Sequence, residues 1–326
     1  MKIVVADANL APLRAHLEEA FPTGSQVSWP DPLDPAAVAE AVVGAEVLVS
    51  GSCPAEVGAA GNALRLVHAA GAGVDGIDVA ALPTGTVVAN TFHHEDSIAE
   101  HVVAATILLR RGFLTQDAAL RRDEWASPAY DAGVPWRDSL GAATIGFVGF
   151  GHIGARTWDR FRAFGARGVA VTRRGDVDAA ARGLEWSGTT DDLGTLLDRA
   201  DVVVVSAPLT PETTGLIGVA ELARMKRSAI LVNVGRGPLV EEKALYEALR
   251  DGDIAGAAID VWYGYPATGA TAAPSELPFR DLPTVLMTPH SSGLTRQTFM
   301  GRAADIAANV RRLAAGEQLV NVVATA

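Results

Sequence analysis

Ten short apolar runs recur along the chain, each leading through a turn toward a helical pattern, and this alternation constrains the fold more than any other feature. The first series is IVVAD (3–7), EVLVS (46–50), LVHAA (66–70) and TVVAN (86–90). The second is TIGFVG (144–149), GVAVT (168–172), DVVVVS (201–206), AILVN (229–233), AAIDV (257–261) and VLMTPH (285–290). Strands that alternate with helices pair in parallel, because a parallel neighbour is reached only through a crossover. Runs without polar alternation suit strands covered on both faces. The sequence therefore predicts an α/β fold of two doubly wound parallel-sheet domains. Between the two series, SIAEHVVAATILLRRG (97–112) reads as a long helix capped by Ser97 that joins the domains. Phe299, Ala303, Ile306, Val310 and Leu313 stand at helical spacing within 295–316, so a last helix is expected to pack back on the first domain. Residues 267–278, rich in Ala, Thr and Pro, read as a loop.

With 326 residues, 49% of them hydrophobic, each domain has enough chain to bury its own core. Cys53 is the single cysteine, which excludes an intrachain disulfide and a cysteine-built metal cluster. A reducing, cytoplasmic setting follows as an expectation, and no metal is expected. The opening MKIVVADANL is too short an apolar stretch for a signal peptide, and no segment reaches the roughly 20 apolar residues that span a bilayer. A formal net charge of −11 argues against nucleic-acid binding, which needs a basic face to neutralise phosphates. A small anionic molecule remains the expected partner.

Gly149-Phe150-Gly151-His152-Ile153-Gly154 follows the strand ending at Val148 and precedes a helical pattern. Strand, glycine turn and helix in that order form a dinucleotide site: Gly149 allows the tight turn, Gly151 the close approach of a pyrophosphate, and Gly154 close packing of helix on strand. The helix start at His152 and Ile153 favours the phosphate charge. At the end of the next strand stands Thr172-Arg173-Arg174, with no carboxylate before Asp176. Two guanidiniums beside a hydroxyl suit a 2′-phosphate, whereas a ribose hydroxyl would call for an acid there, so NADP(H) is favoured over NAD(H).

Three further segments, SAPLTPETTGLI (206–217), LVNVGRGPLVEEKAL (231–245) and MTPHSSG (287–293), join AGAGVDGID (70–78) and the SIAEH helix start. Together with the glycine turn they resemble the D-isomer-specific 2-hydroxyacid dehydrogenase family over nearly the whole chain. The resemblance implies a Rossmann cofactor domain, 97–293, inserted into a flavodoxin-like substrate domain, 1–96 and 294–326, with the site in the cleft. It implies hydride transfer between a nicotinamide and C2 of a small 2-oxo or 2-hydroxy acid, such as glyoxylate or hydroxypyruvate. It also implies a homodimer through the cofactor domain, for which helix 97–112 and the following arm, 113–136, offer apolar surface. Carried over by position, Arg236 resembles the anchor of the substrate's carboxylate and carbonyl, and an always-charged fork suits a 2-oxo acid. His290 matches the general acid/base, whose ordinary pKa near 6.5 lies close to working pH. Ala72 and Gly73 match the turn whose backbone N–H groups take the carboxylate. His94, just before the SIAEH helix, is a candidate for substrate contact. Asp260, Ile98, Ser206, Ala207, Pro208, Thr213, Val234, Gly235, Ser292 and Gly293 fall at cofactor positions, together with Arg236 and His290.

One position departs from the pattern. Most relatives place a glutamate before the proline that follows Asp260, where it supports the histidine; here DVWYGYP puts Tyr265 there. A neutral phenol can orient an imidazole but does not stabilise imidazolium as a carboxylate does. His290 is expected to work with an unraised pKa, oriented by Tyr265 or a backbone group, so that reduction weakens above about pH 6.5. The DVW segment also resembles the formate dehydrogenase branch, which needs no proton from histidine. A cofactor-sensing binding protein that keeps the fold without catalysis is a third alternative.

Overall fold

The structure, a computed structural model, describes residues 1–31, 33–266 and 270–326. Of the expected loop at 267–278, the first three residues lie outside these. The chain divides into two compact units, Met1–His93 with Leu294–Ala326, and His94–Gly293.

In the first unit, six strands are ordered Val322–Thr325, Val87–Ala89, Leu66–His68, Val47–Val49, Lys2–Val5 and Gln26–Ser28. Counted along the chain, the five parallel strands run 2-1-3-4-5, the flavodoxin-like order. Val322–Thr325 breaks the expected all-parallel pattern by pairing antiparallel with Val87–Ala89. Ile3, Val5, Val49 and Leu66 bury one face of the sheet against Ala303, Ile306, Ala307 and Val310. These last four lie on helix Arg296–Ala315, which belongs to this unit as its apolar spacing predicts. Thr295 caps its start and Gly316, at φ 72°, ends it.

In the second unit, seven parallel strands are ordered Trp186–Thr189, Arg167–Thr172, Thr144–Val148, Val202–Val205, Ile230–Asn233, Gly256–Ile259 and Val285–Met287. Their chain order, 3-2-1-4-5-6-7, is the Rossmann order with one strand added. The order reverses between Thr144–Val148 and Val202–Val205, and ligands of such sheets bind beyond the strand ends at that reversal. Each face buries its own apolar cluster, one around Val203, Leu231 and Ile259, the other around Phe147, Trp158 and Val232. Continuous apolar strands are the consequence of this two-sided burial.

Among the described residues, five strands have no counterpart among the ten apolar runs: Gln26–Ser28, Trp186–Thr189, Val322–Thr325, and Ser52–Cys53 with Gly76–Ile77, which pair as a small sheet of their own. All are edge strands, and an edge strand with one solvated side needs no unbroken apolar run. The joining helix is Glu95–Arg110, three residues earlier than a Ser97 cap predicts. His94 occupies the cap position, Glu95 and Asp96 place negative charge in the first turn, and Ser97 Oγ donates to His94 O at 3.0 Å. The division between units accordingly falls at 93/94 rather than 96/97. Among the described residues, no helix is long and apolar enough to cross a membrane.

Candidate functional site

The glycine turn lies at the reversal point of the seven-stranded sheet, and its three glycines answer to three different constraints. Gly149 adopts φ 87°, and a Cβ there would stand 2.7 Å from Ala207 N, so a side chain is excluded by backbone shape and by space. A Cβ on Gly154 would stand 3.1 Å from Gly149 O, which keeps helix His152–Ala163 close to the strand. At Gly151 a Cβ would meet nothing within 4 Å. Nothing in the protein's own packing requires a glycine at 151, and the space above its backbone is open. The first bond of the helix is Ala155 N to Gly151 O, so the N–H groups of its first turn face out of the positive end. His152 Nδ1 lies 3.7 Å from Glu95 Oε1.

Ser206 Oγ donates to Gly149 O at 3.1 Å and ties the 206–217 segment to the glycine turn. That segment is closed by Thr213, whose hydroxyl accepts from Thr210 N and donates to Pro208 O, each at 2.8 Å. Beyond strand Arg167–Thr172, Thr172 Oγ1 accepts from Gly175 N at 3.0 Å, which shapes the turn carrying Arg173 and Arg174. Both arginines are exposed. Arg174 Nε donates to Asp176 Oδ2 at 2.7 Å, an exposed pair easily exchanged for a stronger anion. Hydrogen bonds from Thr210 and its own backbone, then the charge of Arg173, hold the Glu212 carboxyl below its ordinary pKa. This places Arg173 within electrostatic reach of the 206–217 segment.

Asn233, the last residue of its strand, builds the turn that presents Arg236. Its Oδ1 accepts from Gly235 N at 3.1 Å and its Nδ2 donates to Arg236 O at 3.0 Å. A Cβ on Gly235 would press on Ala207 O at 3.0 Å, and one on Gly237 would enter the carbonyl of Trp262. The turn is thus wedged between the phosphate loop and the segment after Asp260. Arg236 itself is half-buried, with Nη1 donating to Gly235 O at 2.9 Å.

Asp260 is 1% exposed and organises the loop of His290. Its Oδ1 accepts from Thr288 Oγ1 at 2.6 Å and Ser291 N at 2.9 Å; its Oδ2 accepts from Ser292 N at 3.1 Å and from Ser292 Oγ. Trp262 Nε1 adds a bond to Thr288 O at 2.8 Å. Bracketed on both sides, His290 is held at φ 54°, a conformation that a non-glycine residue rarely keeps without such support. The imidazole is exposed at the rim, and the protein atoms crowding it lower its pKa; Arg236 lowers it further while Asp260 opposes.

Tyr265 takes a different part from the one expected of its hydroxyl. The hydroxyl accepts from Trp262 N at 3.0 Å, and it is the ring that meets His290, with centroids 5.7 Å apart and planes inclined by 55°. Nearby, a Cβ on Gly293 would lie 3.3 Å from His94 Cβ and 3.7 Å from Ile98, so these three candidates share one patch. Sequence reading passed over Asn233, Trp262, Thr288 and Ser291, which position the site. Their signal was the hydroxyl-rich stretch around His290 and an amide heading the NVGRG turn. His101, also passed over, faces the field of Asp260 from helix Glu95–Arg110, and burial lowers its pKa.

Ala72 and Gly73 belong to the first unit, beyond strand Leu66–His68. Asn90 Nδ2 donates to Ala72 O at 2.8 Å and Thr91 N to Gly71 O at 3.1 Å, which fixes this turn. Among the described residues, no group of three or more His, Cys, Asp or Glu is placed to hold a metal ion.

Residues 103–292 match the family described as "D-isomer specific 2-hydroxyacid dehydrogenase, NAD binding domain". The glycerate dehydrogenase of Methylorubrum extorquens is 31% identical over 296 residues, 87% of each chain. The D-3-phosphoglycerate dehydrogenase of Methanocaldococcus jannaschii is 34% identical over 263 residues, 80% of this chain and 47% of that one. The chain thus spans about half the length of that relative. In fold, the chain is similar to the NAD-complexed D-isomer specific 2-hydroxyacid dehydrogenase of Lactobacillus delbrueckii ssp. bulgaricus, with a TM-score of 0.80 at 24% identity, covering 99% of this chain and 100% of that one.

Proposed function

The chain belongs to the D-isomer specific 2-hydroxyacid dehydrogenase family, and from that premise we propose that it moves a hydride between a nicotinamide cofactor and C2 of a small 2-oxo or 2-hydroxy acid. The observation that carries this reading is the bracket around His290. One buried carboxylate, Asp260, fixes the imidazole's loop in the same unit as the Arg236 turn and the phosphate cradle. When bound, the nicotinamide supplies or accepts the hydride. Gly149, Gly151 and Gly154, with the helix start at His152 and Ile153, would hold its pyrophosphate.

In this reading Arg236 pairs with the substrate carboxylate and polarises the C2 carbonyl, as a fixed charged fork can. Ala72 and Gly73, carried over by position, would offer backbone N–H groups to a carboxylate, and His94 contributes to the substrate side of its patch. His290 gives a proton to the forming alkoxide in reduction and takes it back in oxidation. Glycerate and hydroxypyruvate, or glycolate and glyoxylate, are acids of the size and charge proposed. Exposed Arg173 and Arg174 beside Thr172, with no acid at the strand end, support NADP(H) over NAD(H).

The test is consumption of NADPH and of NADH by purified protein against glyoxylate, hydroxypyruvate, pyruvate and phenylpyruvate at pH 6 and pH 8. NADPH-dependent reduction is expected. Since the His290 pKa lies below its ordinary 6.5, the protonated donor is depleted as pH rises, so reduction is faster at pH 6. Equal efficiency with both cofactors would remove the NADP(H) preference. Turnover of formate but of no 2-oxo acid would replace the reaction proposed, and tight cofactor binding without any turnover would point to a sensor.

The same reading places the protein in the cytoplasm, in keeping with its one cysteine, the buried Cys53. It also pairs two chains through the cofactor unit. Leu120, Trp125, Tyr130 and Trp136 lie exposed along residues 113–136, an apolar display more typical of an interface than of a monomer's surface. Light scattering should return twice the chain mass, and a monomer at micromolar concentration would refute the pairing.

A further inference from the structure

We infer that Tyr265 is a positioning residue for His290 and acts through its ring rather than its hydroxyl. This inference deepens the proposed reaction and rests on His290 being its proton carrier.

The argument begins with what each atom of Tyr265 touches. The phenol oxygen accepts the Trp262 backbone N–H three residues back, which closes the 262–265 turn on itself. Trp262 is in turn tied through its indole N–H to Thr288 O, two residues before His290. One chain of contacts therefore runs from the Tyr265 ring through the 262–265 turn to the histidine's own loop. The ring lies 5.7 Å from the imidazole at a 55° tilt, within the range of favourable aromatic pairing.

Bonds to Asp260 from the Thr288 hydroxyl and from the backbone N–H groups of Ser291 and Ser292 hold these residues, and so set where the His290 backbone goes. They leave the imidazole's rotation about its side-chain bonds open, and the Tyr265 ring restricts it. A carboxylate in this place would orient the ring and also stabilise its proton. The phenol ring does the first without the second. The charged groups around the imidazole are Arg236, which disfavours its proton, and Asp260, which favours it from beneath the loop. The consequence is an imidazole that is held in place yet neutral at pH 7, ready to accept a proton from an alcohol and a poor donor to a carbonyl except in acid.

The experiment follows the His290 ring resonances by NMR in histidine-labelled protein, assigned with a His290→Asn variant, across pH 5 to 9. The wild type, Tyr265→Phe, Tyr265→Leu and Tyr265→Glu are compared, with steady-state kinetics on each. The wild-type ring should titrate below 6.5 and show a ring-current shift from Tyr265. Tyr265→Phe should keep both, with kcat changed by no more than about threefold, because the ring remains. Tyr265→Leu should lose the ring-current shift and drop kcat about 10- to 100-fold with KM nearly unchanged, the range expected when an acid/base group is misaligned. Tyr265→Glu should raise the titration midpoint by about one pH unit or more and carry the alkaline limit of reduction up with it. Loss of the ring-current shift in Tyr265→Phe, an unaltered His290 resonance in Tyr265→Leu, or an unmoved midpoint in Tyr265→Glu would each overturn the inference. Because the resonances are read without substrate, these outcomes stand apart from a failure to find turnover, which would overturn the proposed reaction instead.

Discussion

Arg236→Ala should lower kcat/KM for the 2-oxo acid by about 10²- to 10³-fold or more, because one side chain is asked both to bind the carboxylate and to stabilise charge on the carbonyl oxygen. The loss should be divided between a raised KM and a lowered kcat, since the first contact exists in the ground state and the second grows toward the transition state. Arg236→Lys should recover little of it. A lysine carries the same charge but no planar fork, and the turn built by Asn233, Gly235 and Gly237 holds the backbone too tightly to re-aim a point charge. A lysine variant with near-native kcat/KM would show that charge alone suffices and that Arg236 is not the anchor.

Asp260→Ala should be the most damaging substitution to structure in the second unit. It removes the acceptor for Ser291 N and Ser292 N and for two hydroxyls, in a position that is 1% exposed. Leaving buried donors unmatched costs about 1–3 kcal/mol apiece, so a local loss of about 3–5 kcal/mol is expected. The effect should be concentrated in the His290 loop, because φ 54° at that residue has no other support of comparable strength. Hydrogen exchange at the Ser291 and Ser292 amides should accelerate by two orders of magnitude or more, as about 3 kcal/mol of lost protection implies. Asp260→Asn keeps one acceptor oxygen and should fall between the two. Unchanged exchange at Ser291 and Ser292 in the alanine variant would show that the loop is held by something other than this carboxylate.

The strands of both units were legible because a strand buried on both faces leaves an unbroken apolar run, here bounded by turn residues and followed by a helical pattern. The edge strands Gln26–Ser28 and Trp186–Thr189 were not legible for the complementary reason: one solvated side permits polar residues and erases the run, whereas Val322–Thr325, VVAT, is a short apolar run followed by no helical pattern. Helix starts were read from cap chemistry, and the joining helix shows the weakness of that guide. Ser97 has the right side chain, but Glu95 and Asp96 already suit the positive end of a helix, so it begins earlier and Ser97 bonds back to His94 instead.

Within the candidate site, the glycine turn was legible from residue types that local geometry demands, whereas Arg236 and His290 were singled out by the resemblance of their segments to the family. Gly149 needs φ 87° and Gly154 needs a bare Cα beside Gly149 O, and both requirements are met within six residues of chain. What only the tertiary structure decided is how these pieces are held to one another. Asp260 reaches residues about thirty positions away, Trp262 bonds Thr288, and the Tyr265 ring rather than its hydroxyl meets His290. Those contacts join the ends of adjacent parallel strands, and parallel neighbours are separated in sequence by a whole crossover. No local pattern of residues can encode which side chains meet across such a gap, because that depends on strand register and on loop paths set by the packed sheet.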